Sequence, residues 1–450
     1  MVNDPAMSDH IPVLILGAGL AGLSCAYHLR PDYLLAEREQ EPGGIVRTRV
    51  RLDSFLCDGT GHWLHLRNDT MKKLVNTIMA GQMIEYERRA VIYSKGTFTA
   101  YPFQANTYGL PRDIVLECLL GLLKAKHPED FGAEPDTRKP QNFHEWIVRY
   151  FGEGISKHFM VPYNEKLLGV NLTELMPEYA ERFIPRPSTE DVIKGALGFS
   201  RESLGYNAKF IYPKHGGIGA LSRRLAEALP KPPTYRTQVT RVNLGAHTAA
   251  LSDGRTIRFD ALVNTAALVR FVEVIEDAPP EVRAAAQRLR ATTVHYFDLG
   301  VRGTGAVASH YHWVYFPEPE FIFYRAGSYS AVHRDAAPPG CRSYYIEMSG
   351  GANEWLSDIE GLKQRVLTDL KRAQILADDD EILFMELCEI PYAYVIFDQH
   401  YESSRRLIFD YLLQHGVQSC GRWGGWGYGG MEDALLDGKT AAETIDKQKT

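Results

Sequence analysis

Short apolar runs and amphipathic stretches alternate along this chain, with glycine turns between them. Residues 13–16 (Val-Leu-Ile-Leu) are an apolar run of strand length that stops at Gly17. Gly17-x-Gly19-x-x-Gly22 then opens a helical run over 23–29, and residues 33–36 (Tyr-Leu-Leu-Ala) form a second strand closed by Glu37. Residues 90–93 and 97–101 read as a hairpin around Lys95-Gly96. From 111 to about 194 the spacing is mainly helical. Asn142-Phe-His-Glu145 is an N-cap box before Trp146, Ile147, Tyr150 and Phe151, an aromatic stripe that reads as core. Leu221, Leu225 and Leu229 mark another helix, followed by a meander over 239–244, 249–251 and 256–259 and an apolar strand over 261–266. Antiparallel strands are expected at 294–301, 312–316, 321–325 and 344–348, a helix over 357–376, an extended segment over 390–397 and a terminal helix over 434–445.

This order predicts an α/β protein in three parts. A discontinuous Rossmann-like domain takes residues 8–85, 208–280 and 385–447. An inserted helical domain takes 111–205, and an antiparallel β-sheet domain with a flanking helix takes 86–110 and 285–384. The glycines carry the first chemistry. Gly17 permits a tight turn, Gly19 lets backbone approach a pyrophosphate, and Gly22 lets helix and strand pack closely. The helix N-terminus offers N–H groups and partial positive charge to phosphate, and Glu37 falls where a carboxylate accepts from a ribose hydroxyl. Strand, helix, second strand and acid together indicate a dinucleotide site.

Composition narrows the class. At 450 residues the chain exceeds one hydrophobic core, and 45% hydrophobic with 24% charged residues is ordinary for a globular protein. A net charge of −6 without a basic block gives no sign of nucleic-acid binding, so an anionic substrate would need local arginines. Cys25, Cys57, Cys118, Cys341, Cys388 and Cys420 are scattered without a C-x-x-C pair, which reads as reduced thiols in a cytoplasmic protein. The polar N-terminus predicts no signal peptide, and no stretch is long enough for an integral membrane segment. No metal site is predicted; His62 and His65 flank a glycine turn rather than sharing a helix face.

Further candidates lie along the chain. Gly59 and Gly61 leave room for a large flat ligand, with His62 beside them. The run Gly421-Arg422-Trp423-Gly-Gly-Trp426-Gly-Tyr428-Gly-Gly-Met431-Glu432-Asp433 leads into the last helix and is too aromatic for a linker. After Glu37 comes Gly43-Gly44-x-x-x-Thr48. This continuation resembles the FAD-binding start of the flavin amine oxidase and UDP-galactopyranose mutase superfamily.

The whole chain is similar to the UDP-galactopyranose mutase family. The likeness rests on Tyr101-Pro-Phe-Gln104-Ala-Asn106, on Glu145-Trp-Ile-Val-Arg149 with Gly154-Ile155 and Phe159-Met-Val-Pro-Tyr-Asn164, and on arginines and tyrosines arriving in order. It implies that the Rossmann-like domain binds FAD through Gly17, Gly19, Gly22, Glu37, Arg38, Gly43, Gly44, Gly61, His62, Arg422, Met431 and Glu432. It implies substrate contacts at Tyr101, Gln104, Asn164 and Asn207. Arg182 and Arg325 would hold a diphosphate together with Tyr315, Tyr394 and Tyr428, and His62 would face the flavin. Leu168 stands where eukaryotic-type enzymes have an aromatic residue near uracil, and Gly427 where a basic residue is usual.

The reaction implied is ring contraction of a nucleotide sugar, UDP-galactose by default, between pyranose and furanose. Reduced FAD acts there through N5 as a nucleophile on the anomeric carbon, without net redox change. An external reductant such as NAD(P)H would maintain the reduced state. Two other readings stand beside this one. An amine oxidase or desaturase would want an apolar or amine-binding cleft, and a scaffold protein would keep the fold without the cofactor.

Overall fold

The computed structural model describes residues 9–178, 184–199, 209–349 and 355–448. Its first sheet is built on the strand Asp9–Leu16, which pairs in parallel with Tyr33–Ala36 on one side and Thr256–Asn264 on the other. Val13, Leu14 and Ile15 are fully buried, as a central strand covered on both faces requires. The strand Thr256–Asn264 is long enough to use one edge twice. Its start pairs antiparallel with Thr248–Leu251, and its end pairs in parallel with Val417–Ser419. The meander and the apolar strand expected from sequence thus share one continuous strand. Against this sheet the helix Leu20–His28 packs under Met431–Gln448, where Gly438 sits so close to the Ala21 carbonyl that a Cβ would overlap it.

The second sheet has seven strands, in the order Glu381–Ile396, Arg290–Arg302, Cys341–Ser349, Arg325–Ser328, Trp313–Tyr315, Ala90–Ser94, Thr97–Ala100. The hairpin around Lys95 (φ 53°) and Gly96 (φ 77°) forms as the sequence implies. Side chains alternate between the faces. Tyr344, Ile346 and Met348 pack with Leu362, Val366 and Leu370 of the helix Ile359–Arg372, whereas Tyr345, Tyr296, Trp313 and Tyr315 belong to the cluster on the other side, toward the first sheet.

Two expectations are corrected. Residues 321–324 are not strand: the Phe316 N–H closes a loop onto the Tyr324 carbonyl at 2.9 Å, and pairing begins at Arg325. The apolar pattern there comes from Phe321 and Phe323 filling the core beneath the Ile359–Arg372 helix. The strand Glu381–Ile396 pairs with Arg290–Arg302 along its length, so the antiparallel sheet extends past the boundary at 384.

The helices Arg112–Lys126, Phe143–Ile155 and Val161–Leu168 form a group of their own, and the last is tied to the second sheet by the Ser349 hydroxyl, which donates to the Leu167 carbonyl at 2.6 Å. The first two approach to backbone contact because Gly121, Gly152 and Gly154 carry no Cβ. Trp146, Ile147 and Phe151 are buried, as their stripe implied. Among the described residues no helix is long and apolar enough to cross a membrane. All six cysteines are free.

Candidate active site

The parallel strands Asp9–Leu16, Thr256–Asn264 and Val417–Ser419 all end on one side of the first sheet. Gly17, Thr265 and Gly421 follow these ends, where open α/β sheets bind ligands. A cleft of about 540 Å³ opens there and continues to the face of the second sheet that is turned toward the first.

On the first wall, Gly17 has φ 96°, and a Cβ at Gly22 would overlap the Gly17 carbonyl. These two glycines shape the loop without lining the cleft. Gly19 does line it, and a Cβ there would meet nothing within 4 Å. Gly19 also caps the helix Leu20–His28 without any side-chain hydrogen bond, so the first-turn N–H groups keep their capacity for an anion. Gly43 and Gly44 lie alongside, with the Gly43 N–H donating to the Ala18 carbonyl at 2.8 Å.

The second wall is a register row. Tyr315 is paired with Arg325, Arg325 with Glu347, and Glu347 with Tyr296 across neighbouring strands. Arg325 donates to both oxygens of Glu347, through Nε and, at 2.7 Å, through Nη2. Its guanidinium lies 5.0 Å from the Trp313 ring centre, and Trp313 stacks on Trp63 at 3.8 Å. Tyr101 stacks on Tyr315 at 5.0 Å.

At the cleft floor the His62 Nδ1–H donates to the Asp58 carbonyl at 2.9 Å, which leaves Nε2 as the acceptor. Burial pushes the imidazole pKa down to about 4, and the charges of Arg422 and Arg325 act the same way, so His62 is neutral near pH 7. Asp58 itself accepts from the Thr48 hydroxyl at 2.6 Å and from the Ile218 N–H at 3.2 Å; burial raises its pKa to about 6. Thr60 holds φ 108°, rare for a β-branched residue. Its N–H donates to the Tyr329 hydroxyl at 3.1 Å, and that hydroxyl donates to buried Asp298 at 2.9 Å.

The glycine- and aromatic-rich C-terminal turn closes the cleft. Arg422 donates to the carbonyls of Gly429, at 2.8 Å, and of Ala393, and lies 4.7 Å from the Tyr428 ring centre. Tyr394 stacks on Tyr428 at 5.9 Å. Burial raises the pKa values of Tyr101, Tyr315 and Tyr394, the last to about 12, so these phenols stay protonated donors.

The structure thus brings together at the cleft Gly19, Gly43, Gly44, Gly61, His62, Tyr101, Gln104, Asn164, Tyr315, Arg325, Tyr394, Arg422, Tyr428, Met431 and Glu432. Arg182 and Asn207 lie outside the described residues. Three of the expected cofactor residues also have other surroundings. Glu37, expected on a ribose, also braces the loop: its oxygens accept from the Ala18 N–H at 2.6 Å and the Glu39 N–H at 2.9 Å. Arg38 is exposed beside Glu39 and does not line the cleft. Glu432 lines it but uses one oxygen to hold the Arg67 and Asn68 N–H groups at 2.6 and 2.7 Å. Gln104 and Asn164 likewise donate their amides to the Pro185 and Met160 carbonyls. Leu168 is buried core, and Leu167 is the residue at the cleft. Sequence reasoning missed Glu347, Trp313 and Arg88, whose guanidinium lies 4.6 Å from the Tyr101 ring centre. A lone carboxylate among the apolar residues of 344–348 was the available signal for Glu347.

A helix start free of side-chain caps beside an open glycine, running into a cleft with aromatic walls, fits an elongated dinucleotide and marks a dinucleotide-binding α/β protein. The chain matches the family model for flavin containing amine oxidoreductases over residues 20–446 and belongs to that family. Its fold is similar to that of reduced UDP-galactopyranose mutase, with 24% identity, 97% of this chain and 94% of that chain covered, and a TM-score of 0.90. It is also similar to putrescine oxidase (14% identity, 98% and 99% covered, TM-score 0.70) and to cyclohexylamine oxidase from Brevibacterium oxydans (16%, 98% and 99%, 0.66).

Proposed function

We propose that this flavoenzyme interconverts the pyranose and furanose forms of a nucleotide sugar, with a UDP-hexose such as UDP-galactose as substrate. One observation carries the reading. Opposite the dinucleotide wall, Arg325 pairs across the strands with Tyr315 and lines the same cleft as Tyr394, which stacks on Tyr428. A guanidinium among protonated phenols is an anion-binding set, matched to a diphosphate in charge and geometry. An amine oxidase cleft would have no use for it.

Bound FAD in its reduced form would supply the nucleophile at N5. The chain's own residues bind and orient. Arg325, with its Nη1 edge uncommitted to Glu347, and the three tyrosines would donate to the diphosphate oxygens. Arg182, two residues before the cleft-lining Ile184, is proposed as the second cation. Holding the departed diphosphate in place keeps its return intramolecular. Tyr101, Gln104 and Asn164 would line the nucleoside end, with Asn207 proposed beside them. His62 would offer Nε2 to the flavin. A hydride donor such as NAD(P)H would restore the reduced state from outside.

The test is turnover of UDP-galactofuranose by purified protein under dithionite, with the aerobic oxidised protein as control. Conversion to the pyranose only when reduced supports the reading. A flavin-loaded protein that neither turns over the sugar nor shows a flavin spectral shift with UDP overturns it.

A further inference from the structure

Away from the cleft, three side chains from two separate segments converge. His215 follows the strand Lys209–Pro213, while His333 and Asp335 follow the short helix Tyr329–Val332. Their ligand-type atoms lie within 4.8 Å of one another. His333 is 8% exposed, and its Nε2 has no hydrogen-bond partner. That nitrogen is 3.5 Å from Asp335 Oδ2, and His215 Nδ1 is 3.4 Å from the same oxygen.

These separations are informative. A hydrogen-bonded imidazole–carboxylate pair would close to about 2.7–3.2 Å. Two ligands on a tetrahedral ion with bonds of about 2.0–2.2 Å stand about 3.4 Å apart. Both separations fit the second geometry. The other nitrogen of His333, Nδ1, faces the Tyr86 hydroxyl at 3.5 Å.

We propose that His215, His333 and Asp335 bind a zinc-class divalent transition cation through three protein ligands, with solvent completing the shell. The exposed His215 and Asp335 give the ion access, and the buried His333 anchors it. The bound ion cross-links two parts of the active-site scaffold. The loop of His215 continues into Ile218 and Gly219, whose N–H groups hold Asp58 and Thr48. The helix before His333 carries Tyr329, which holds Thr60.

The experiment is calorimetric titration of Zn²⁺ into tag-free, EDTA-treated and desalted flavin-loaded protein, with wild type compared against His215→Ala and Asp335→Asn. Both substituted positions are exposed, so the fold does not depend on them. One equivalent binding with micromolar or tighter Kd, weakened at least tenfold in each variant, supports the site. Wild-type binding weaker than millimolar, or binding unchanged by either substitution, overturns it. Co²⁺ gives a second readout. A tetrahedral d–d absorption band in wild type that is absent from both variants supports the site, and its absence from wild type counts against it.

Discussion

Arg325 and Glu347 stand opposite each other on adjacent antiparallel strands, and the guanidinium holds both carboxylate oxygens through Nε and Nη2. Glu347 is buried at 3% exposure, and Arg325 is largely covered at 15%. The register of two strands therefore sets the orientation of the cation at the cleft wall. Removing one member leaves the other as an unpaired buried charge, which costs about 3–5 kcal/mol. Glu347→Ala should lower the melting temperature by several degrees. Glu347→Gln keeps the shape but lets the fork swing, so it should fold and lose at least tenfold in kcat/KM for the nucleotide sugar. Melting curves beside steady-state kinetics check both; a fully active Glu347→Gln enzyme would show that Arg325 needs no orientation.

The glycine loop separates a folding requirement from a binding one. A Cβ at Gly22 overlaps the Gly17 carbonyl, whereas a Cβ at Gly19 meets nothing and points into open space. Gly22→Ala should destabilise the protein by more than about 1 kcal/mol, as overpacking does. Gly19→Val should fold and melt close to the cofactor-free wild type, yet purify with little flavin. The flavin-to-protein absorbance ratio decides the second point, and a fully yellow Gly19→Val protein contradicts it.

What the sequence disclosed follows from the range of the interactions. Gly17, Gly22 and the first strand and helix were legible because their constraint is steric and local. Tyr315, Arg325, Tyr394 and Tyr428 were reached through family likeness, and the cleft does collect them. Glu347 was not reached, because its partner is 22 residues away and depends on strand register. The run 321–324 looked like a strand because apolar residues were needed there, but the need was for a plug beneath a helix. Glu37 occupied the expected position and had the expected chemistry, yet its oxygens fold back onto the Ala18 and Glu39 N–H groups. His215, His333 and Asp335 have no common spacing at all, since the fold alone unites them.

Buried neutral histidines predict acid lability in a defined window. Burial lowers His62 and His65 from 6.5 to about 4 and His312 to about 3. Between those values and 6.5 the unfolded chain binds more protons, so their contribution to stability falls as pH drops below about 6.5 and levels off only near 3. Asp58, raised to about 6, works in the opposite direction between 3.8 and 6, because the folded state then binds the extra proton. Burial also lowers His295 and His333 and raises Asp298 and Asp369, so five histidines act against three carboxyls and leave a net loss, on the order of a few kcal/mol. Melting temperature measured from pH 7.5 to 4.5 should fall, and less steeply in His62→Gln. A flat profile over that range would remove the assignment of these rings as buried and neutral.

Arg422 joins the two halves of the cleft. It donates to the Gly429 and Ala393 carbonyls, on either side of the stacked Tyr394 and Tyr428, and its guanidinium lies 5.8 and 4.7 Å from their ring centres. A lysine keeps the charge but cannot bridge two carbonyls with a planar fork. If the arginine served the cofactor alone, Arg422→Lys would bind flavin weakly and recover fully once saturated with added FAD. The geometry predicts otherwise. Losing a charge-assisted bridge of about 1.5–3 kcal/mol frees the tyrosine pair, so the FAD-saturated variant should still be about 10–100-fold down in kcat/KM, with most of the loss in nucleoside diphosphate affinity. Flavin titration followed by UDP titration of the saturated protein separates the two effects, and normal UDP affinity in that state would assign Arg422 to the cofactor alone.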